Sequence, residues 1–396
     1  MKEYSPFTPG VPVPIEFFIG RVTELHEIIN MAGKSSSRES LERIFVYGER
    51  GIGKSSLCRM AVTISEEKYN MLGLHVYLGG VNSLEEMARR IFERLLQKSR
   101  DKNWFEAVKT FLGNHVRQVG LFGISLEFTA SSNDLRQSVS DFPYVLRNLL
   151  EKLGKDKNGM MLVLDDLNGL AGSPSFANWL KSFVDEVATT EKPLPLLLIL
   201  SGLSERRRQL INNQPSLDRV FDLVHVKRFK KEEVEEFFQK TFSKVNVNVS
   251  VEAMDLLSRF SGGHPVFMHE IGDAVFKTDE DDHIDGKDAL KGILRAAEAI
   301  GVKYIEPKVL ATIRSDRYRG ILKKIVREPF EYRFSKQELS KRVSQDESKV
   351  LHNFLQKMKN LGVLSQPPES PRGEYAFTSE LYSLFFWLQA TAEKKA

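Results

Sequence analysis

Cysteine is nearly missing from this 396-residue sequence, in which Cys58 stands alone. A single cysteine excludes an intramolecular disulfide, and no Cys and His cluster of metal-ligand spacing accompanies it. Cys58 falls where a helix is expected and reads as a small core residue rather than a nucleophile. Long apolar runs are missing too. The longest, around Met160 to Leu164 and Leu194 to Leu200, are far short of the ~20 residues that cross a bilayer, so no membrane is expected as a partner. The opening residues MKEYSPFTPGVPVPIEFF carry neither a charged stretch followed by an apolar core nor an arginine-rich amphipathic pattern. No export or transit signal is expected, and the expected location is the cytoplasm. Repeats at solenoid periods are absent, as is low complexity beyond the proline-rich start.

What is present is ordinary for a soluble globular protein: 41% apolar and 28% charged residues, in a chain long enough for two or three cores. The net charge of +4 is unevenly spread. Residues 301–396 hold 18 Lys and Arg against 11 Asp and Glu, a surplus of +7, which leaves about −3 for the first 300. That surplus suits nucleic acid or an acidic protein, and equally suits a merely solvated face.

The run RIFVY (Arg43 to Tyr47) reads as a buried strand and Lys54 to about Glu67 as a helix. Further apolar runs at Leu74 to Leu78, Met160 to Asp165, Leu196 to Ser201 and Asp222 to Val226 alternate with helical patterns at Ser83 to Gln97 and Asp141 to Leu153. Such alternation predicts an α/β fold, a parallel sheet with helices on both faces. Val119 to Phe128 alternates at period two and reads as an inserted hairpin or extra strand. From Lys230 to about Ile300 the spacing predicts helices and no strand. Beyond Pro307 it predicts helices over Val309 to Arg327, Ser335 to Val343 and Glu347 to Asn360. Two short strands then follow in VLSQPPESPRGEYAF (Val363 to Phe377), the pattern of a winged helix. The expected domains are 1–228, 229–304 and 305–396.

Between the first strand and helix lies YGERGIGKSSL (Tyr47 to Leu57). Its Gly48-x-x-x-x-Gly53-Lys54-Ser55 fits the phosphate-loop pattern. Glycines at Gly48, Gly51 and Gly53 tolerate positive φ, so backbone amides from Gly51 through Ile52 and Gly53 to Ser56 can converge on phosphate oxygens. The start of the following helix adds its dipole and unpaired amides. Lys54 would reach the β and γ phosphates of ATP, and the Ser55 hydroxyl would hold Mg²⁺. In MMLVLDDLNGL, Asp165 and Asp166 end an apolar strand at the carboxyl edge, where ligands of open α/β sheets sit. Asp165 is the candidate Mg²⁺ partner through water. Asp166 would orient or deprotonate the attacking water, a task more often given to Glu, which predicts slow hydrolysis. The plainer reading of the pair is two exposed turn residues that cap the next segment of chain.

With both motifs in place, the chain resembles the AAA+ and STAND ATPases, and among them the archaeal-type ATPases related to the Orc1/Cdc6 initiators. FFIGRVTEL (Phe17 to Leu25) is similar to the box that precedes the phosphate loop in those families and packs near the adenine. The resemblance therefore assigns Ile19, Gly20 and Arg21 to the nucleotide. LLLILSGLSERRRQL resembles a sensor 1 strand, with Ser201 either touching the γ-phosphate or serving as a satisfied strand-end serine. Arg206, Arg207 and Arg208 read as a solvated helix face. Arg219, in SLDRVFDLV, stands where these families carry an arginine finger, and competes with the reading of an ordinary surface arginine. FSGGHPVFMHEI resembles the STAND G-x-P motif, which puts Pro265 against the base. Alternatively, its glycines end one helix and its proline begins another. The arginine that initiators carry nearby is replaced by Pro265, Val266 and Phe267, which favours STAND.

The last predicted helix turns Val350, Leu351, Phe354, Leu355, Met358 and Leu361 inward. Lys349, His352, Asn353, Gln356, Lys357 and Lys359 turn outward. The outward set, with Arg372 of the wing, could line a DNA major groove. Asp346 and Glu347 oppose that and read as helix capping. Tyr332, Phe334, Phe385, Phe386 and Trp387 read as core. Two functions therefore stay open. One is an ATP-binding, Mg²⁺-dependent switch in which ATP and ADP favour different arrangements of a helical lid and a winged helix that faces protein or its own chain. The other is an ATP-modulated duplex DNA binder of the initiator or regulator kind.

Overall fold

The computed structural model describes residues 4–10, 18–119, 125–192, 194–326, 332–367 and 371–395. Two compact units divide the chain: Pro12–Lys227, and Met1–Val11 together with Arg228–Ala396.

The Pro12–Lys227 unit opens with α1 (Val22–Arg38), β1 (Leu41–Tyr47), α2 (Lys54–Tyr69), β2 (Leu72–Tyr77) and α3 (Leu84–Ser99). It continues with α4 (Phe105–Leu112), β3 (Val116–Val119), β4 (Ser125–Phe128), α5 (Ser132–Ser140) and α6 (Phe142–Leu153). β5 (Met160–Asp165), α7 (Pro174–Thr189), β6 (Leu196–Gly202), α8 (Ser204–Asn213) and β7 (Asp222–His225) complete it. The central sheet has the order β2-β5-β6-β1-β7, with every neighbouring pair parallel. All residues of β5 and β6 are buried, as strands covered on both faces require. Alternation then divides them between two layers. Met161, Val163, Leu197 and Ile199 pack with α1 and α2 through Ile28, Leu57 and Ala61, whereas Leu162, Leu164, Leu198 and Leu200 pack on the other face with Ile91, Leu146, Phe176 and Leu180. The expected α/β sheet is present. The period-two stretch forms the antiparallel β3–β4 pair, whose Phe128 joins the second layer; residues 120–124, also part of that reading, lie outside the described residues. The short helices α4 and α5, eight and nine residues long, were not expected.

The second unit holds α9 (Lys231–Ser243), β8 (Asn248–Val249), α10 (Val251–Ser261), α11 (Pro265–Phe276), β9 (His283–Ile284) and α12 (Gly286–Ile300). The β8–β9 pair is parallel and two residues long, so the expectation of no strand here is corrected. α12 runs on as π-helical turns through Gly301–Leu310, which contain Pro307, a residue that cannot donate to the helix ladder. The segment 4–10 belongs to this unit. Phe7 is buried against Phe237, Phe238, Phe242 and His269. A Cβ on Gly272 would meet the Phe7 ring at 2.3 Å, so only glycine lets the ring seat there.

The remainder comprises α13 (Asp316–Ile325), β10 (Arg333–Ser335), α14 (Lys336–Arg342), α15 (Gln345–Ser348), α16 (Leu351–Asn360), β11 (Leu364–Ser365), β12 (Glu374–Phe377) and α17 (Glu380–Lys395). Two sequence readings are corrected. The helix predicted over Val309 to Arg327 is broken between Leu310 and Asp316: the π-helical turns end at Leu310, and α13 starts after an extended Ser315 with Asp316 in its first turn; Arg327 lies outside the described residues. The helix predicted over Glu347 to Asn360 is split into α15 and α16 because Ser344 and Glu347 form a capping box that closes a single turn. Lys349 consequently stands at the end of α15 and not on the face of α16. Glu347 itself is buried, accepting from Ser344 N and Lys324 Nζ. Burial favours its neutral form, but those donors outweigh it and hold the carboxyl below the usual glutamate range. Phe334, Phe354, Leu355, Met358, Phe385 and Phe386 form a common core, with Trp387 packed against it. The sheet order is β10-β12-β11, one strand more than predicted.

Candidate nucleotide site

Four strands of the central sheet deliver the candidate residues to its carboxyl edge. Tyr77, Asp165 and Ser201 stand in register at the ends of β2, β5 and β6, and Val46 of β1 pairs with Ser201. From the next residue of β1, Tyr47, the chain enters the loop 48–53.

The loop's glycines are there for geometric reasons. Gly51 and Gly53 have φ of 75° and 98°, in the region that side chains disfavour. A Cβ at Gly48 would lie 2.5 Å from the carbonyl oxygen of Val226. Gly53 is the N-cap of α2 and offers no side chain to the first turn. The amides of Lys54, Ser55 and Ser56 therefore lack both intrahelical acceptors and a cap, which is the arrangement that takes an anion. Lys54 Nζ donates to the carbonyls of Gly48 and Glu49 at 3.2 and 2.8 Å, curled over its own loop. Burial lowers the ammonium's pKa below the usual lysine value, partly offset by the charges of Asp165 and Asp166.

Asp165 is 2% exposed. Its Oδ2 lies 2.9 Å from His75 Nε2, and its Oδ1 accepts from the Asp166 amide at 3.0 Å. Burial alone would push this carboxyl up; His75 and the hydroxyls of Ser201 and Ser55 outweigh it and hold it below the ordinary aspartate value. The Ser201 hydroxyl is fully buried and, among the described residues, makes no hydrogen bond of good geometry, although it stands close enough to favour the charge on Asp165. Asp166 is exposed, with φ of 62°, and accepts at Oδ1 from Asn168 Nδ2.

The fold thus brings Gly48, Gly51, Ile52, Gly53, Lys54, Ser55, Ser56, Asp165, Asp166 and Ser201 to one edge. Ile19 and Gly20 are half-buried just ahead of α1, while Phe17 of the same box lies outside the described residues. Arg21 is buried and turned inward, donating from Nη2 to Ile52 O at 3.2 Å and from Nη1 to Glu24 at 3.4 Å. It grips the loop's backbone from behind. Arg219 is exposed at the end of the 3₁₀ turn Pro215–Arg219. Pro265 belongs to the other unit, where it opens α11.

Sequence reading misses three residues of this edge. His75 gives one signal, a polar residue inside the apolar strand LGLHVY. Asn168 gives none. Spacing groups Arg206 with Arg207 and Arg208 as a solvated face; in the fold Arg206 Nε donates to Asn168 Oδ1 at 3.1 Å and Arg207 pairs with Asp218 at 2.6 Å. Of the three arginines, only the Arg208 side chain is largely exposed, at 70%.

The chain belongs to the family described as "ATPase domain predominantly from Archaea", which its residues 18–271 match. No curated protein matches the sequence. Solved structures do resemble the fold. A Walker-type ATPase of Pyrococcus abyssi is similar with a TM-score of 0.58 at 19% identity, over 94% of this chain and 96% of that one. The ORC2 protein of Aeropyrum pernix, solved as ADPNP-ADP complexes, has a TM-score of 0.61 at 13% identity over 99% and 98%. Drosophila ORC bound to DNA has a TM-score of 0.50 at 10% identity over 96% and 89%. Among the described residues no helix is long and apolar enough to cross a membrane.

Proposed function

We propose that this ATPase-family chain is a nucleotide-dependent switch that binds Mg·ATP at the loop 48–53 and hydrolyses it slowly. The observation that carries the reading is the uncapped start of α2 behind two positive-φ glycines, with Ser55, Asp165 and Ser201 beside it. Loop amides and Lys54 would hold the phosphate tail, with Lys54 leaving the carbonyls of Gly48 and Glu49 to do so. Ser201 would donate its otherwise unbonded hydroxyl to the γ-phosphate.

Ser55 and Asp165 fit Mg²⁺: both offer hard oxygens, and each Asp165 oxygen accepts one hydrogen bond in the fold and keeps further lone-pair capacity. When bound, the ion would neutralise phosphate charge. Asp166 would orient or deprotonate the attacking water. Arg219 would act as a finger, and Pro265 would lie against the base in a lid formed by α9 to α12, with α13 to α17 and their three strands as a winged helix.

Switching an equilibrium from 1:99 to 99:1 takes about 5.5 kcal/mol of differential binding, for which the γ-phosphate contacts are the source. Lys54→Ala should abolish nucleotide binding in calorimetry. Asp166→Asn should bind and not turn over; normal hydrolysis by that variant would refute the assignment of the base. Limited proteolysis that gives the same pattern with ATP, ADP and no nucleotide would refute the switch.

A second reading, duplex DNA binding, is favoured by the exposed His352, Asn353 and Gln356 on α16 within the basic 301–396 segment, and by the likeness to a fold solved on DNA. It predicts affinity that falls steeply with salt; no binding at low salt would end it.

A further inference from the structure

Beyond the residues assigned so far, we propose that Asn168 and Arg206 are positioning residues for Asp166: a two-link hydrogen-bonded chain from α8 sets the orientation of the carboxylate that activates water. The inference rests on the reading of Asp166 given above and deepens it.

The turn after β5 is held on two sides. Leu167 N donates to Ser201 O at 3.3 Å, and Ala171 N closes back on Leu167 O at 2.9 Å. On the other side a Cβ at Gly169 would sit 2.0 Å from Val81 O, and one at Gly79 would come within 3.0 Å of Asp166 Oδ2. The backbone at Asp166, with φ of 62°, is therefore set by its surroundings, and Asp is among the few non-glycine residues that tolerate that region.

What remains free is rotation of the carboxylate, and Asn168 governs it. An asparagine amide presents an acceptor at one end and donors at the other, and which way it faces depends on its partners. Arg206 has only donors to offer. Its Nε donates to Asn168 Oδ1 at 3.1 Å while its Nη1 is held by Gln209 Oε1 at 2.8 Å. The amide oxygen must then face Arg206, and the NH₂ must face Asp166, where it donates to Oδ1. Oδ2 is left as the oxygen free to accept a proton. Arg206 also stands five residues beyond Ser201, on the helix that leaves the end of β6. The proposed γ-phosphate contact and the device that aims the base thus share one strand-to-helix element.

The test uses the full chain, with Mg·ATP affinity by calorimetry, single-turnover hydrolysis and thermal melting. Asn168→Asp keeps an oxygen toward Arg206 as an ion pair but replaces the donor to Asp166 with a second carboxylate oxygen. Its Tm should hold or rise and its affinity stay within about threefold, while hydrolysis falls at least about tenfold. Arg206→Ala should lower hydrolysis about tenfold with affinity unchanged, and cause no further loss when combined with Asp166→Asn.

Wild-type hydrolysis by Asn168→Asp or Arg206→Ala, alongside an inactive Asp166→Asn, would overturn the positioning role and leave the base assignment standing. Active Asp166→Asn would overturn both. Equal losses of affinity, Tm and rate in Arg206→Ala would mean a merely structural arginine and would also overturn the proposal.

Discussion

His269 shows what a buried polar side chain does to stability. It is 6% exposed, with Nδ1 accepting from the Thr8 amide at 3.1 Å, a bond that requires the nitrogen to be unprotonated. Burial pushes its pKa from the ordinary 6.5 down to about 4. As pH falls, the unfolded chain takes up this proton before the folded one does. The stability His269 contributes is therefore intact above about pH 6.5 and is lost as pH drops towards about 4, on the order of 3 kcal/mol in all. Urea unfolding at pH 7 and pH 4.5 should show a smaller loss for His269→Gln, which keeps an acceptor but does not titrate. An identical loss in both proteins would refute this. Legibility at this scale followed chemistry. Lys54, Ser55 and Asp165 stood out because their spacing is the one that phosphate and magnesium binding would require. Asn168 and Arg206 meet Asp166 only through hydrogen bonds that the fold brings together, and no spacing reveals such a chain.

Elements were legible where burial on both faces left an unbroken apolar run, as in β5 and β6, and where one stripe repeated, as in α3 and α6. They were not legible where a cap overrode the stripe. The apolar spacing from Val350 to Leu361 gave no warning that Ser344 and Glu347 would close a separate turn at α15. The segment 4–10 was not legible either, since it is anchored by one aromatic ring and by the Thr8 amide's bond to His269. Phe7 is 3% exposed among Phe237, Phe238 and Phe242, with Gly272 making room. Phe7→Ala should cost about 3–5 kcal/mol of unfolding free energy in the unit it joins, measured by denaturant melting. A loss of under about 0.5 kcal/mol, ordinary for a surface site, would show that the segment is not seated there in solution.

At the scale of the whole molecule, the sequence resemblance anticipated the family, because the box at 17–25, the phosphate loop and the Asp pair are spread along the α/β region and each carries its own chemistry. Charge anticipated less. Several cations of residues 301–396 are committed inside the fold: Lys324–Glu347 and Arg342–Glu338 leave the +7 surplus unchanged because both partners lie in the segment, whereas Lys303 pairs with Glu270 outside it. Only the outward remainder is available to an acidic partner.

The central claim is that a triphosphate tail is held by main-chain amides at the start of α2. Titration calorimetry of the intact chain with Mg·ATP, repeated with Lys54→Ala, tests it most directly. The account predicts one site on the wild-type chain, with a melting temperature raised in step with ligand concentration, and neither on the variant. A folded wild-type chain that gives no heat and no shift, or a Lys54→Ala variant that binds as the wild type does, would contradict it.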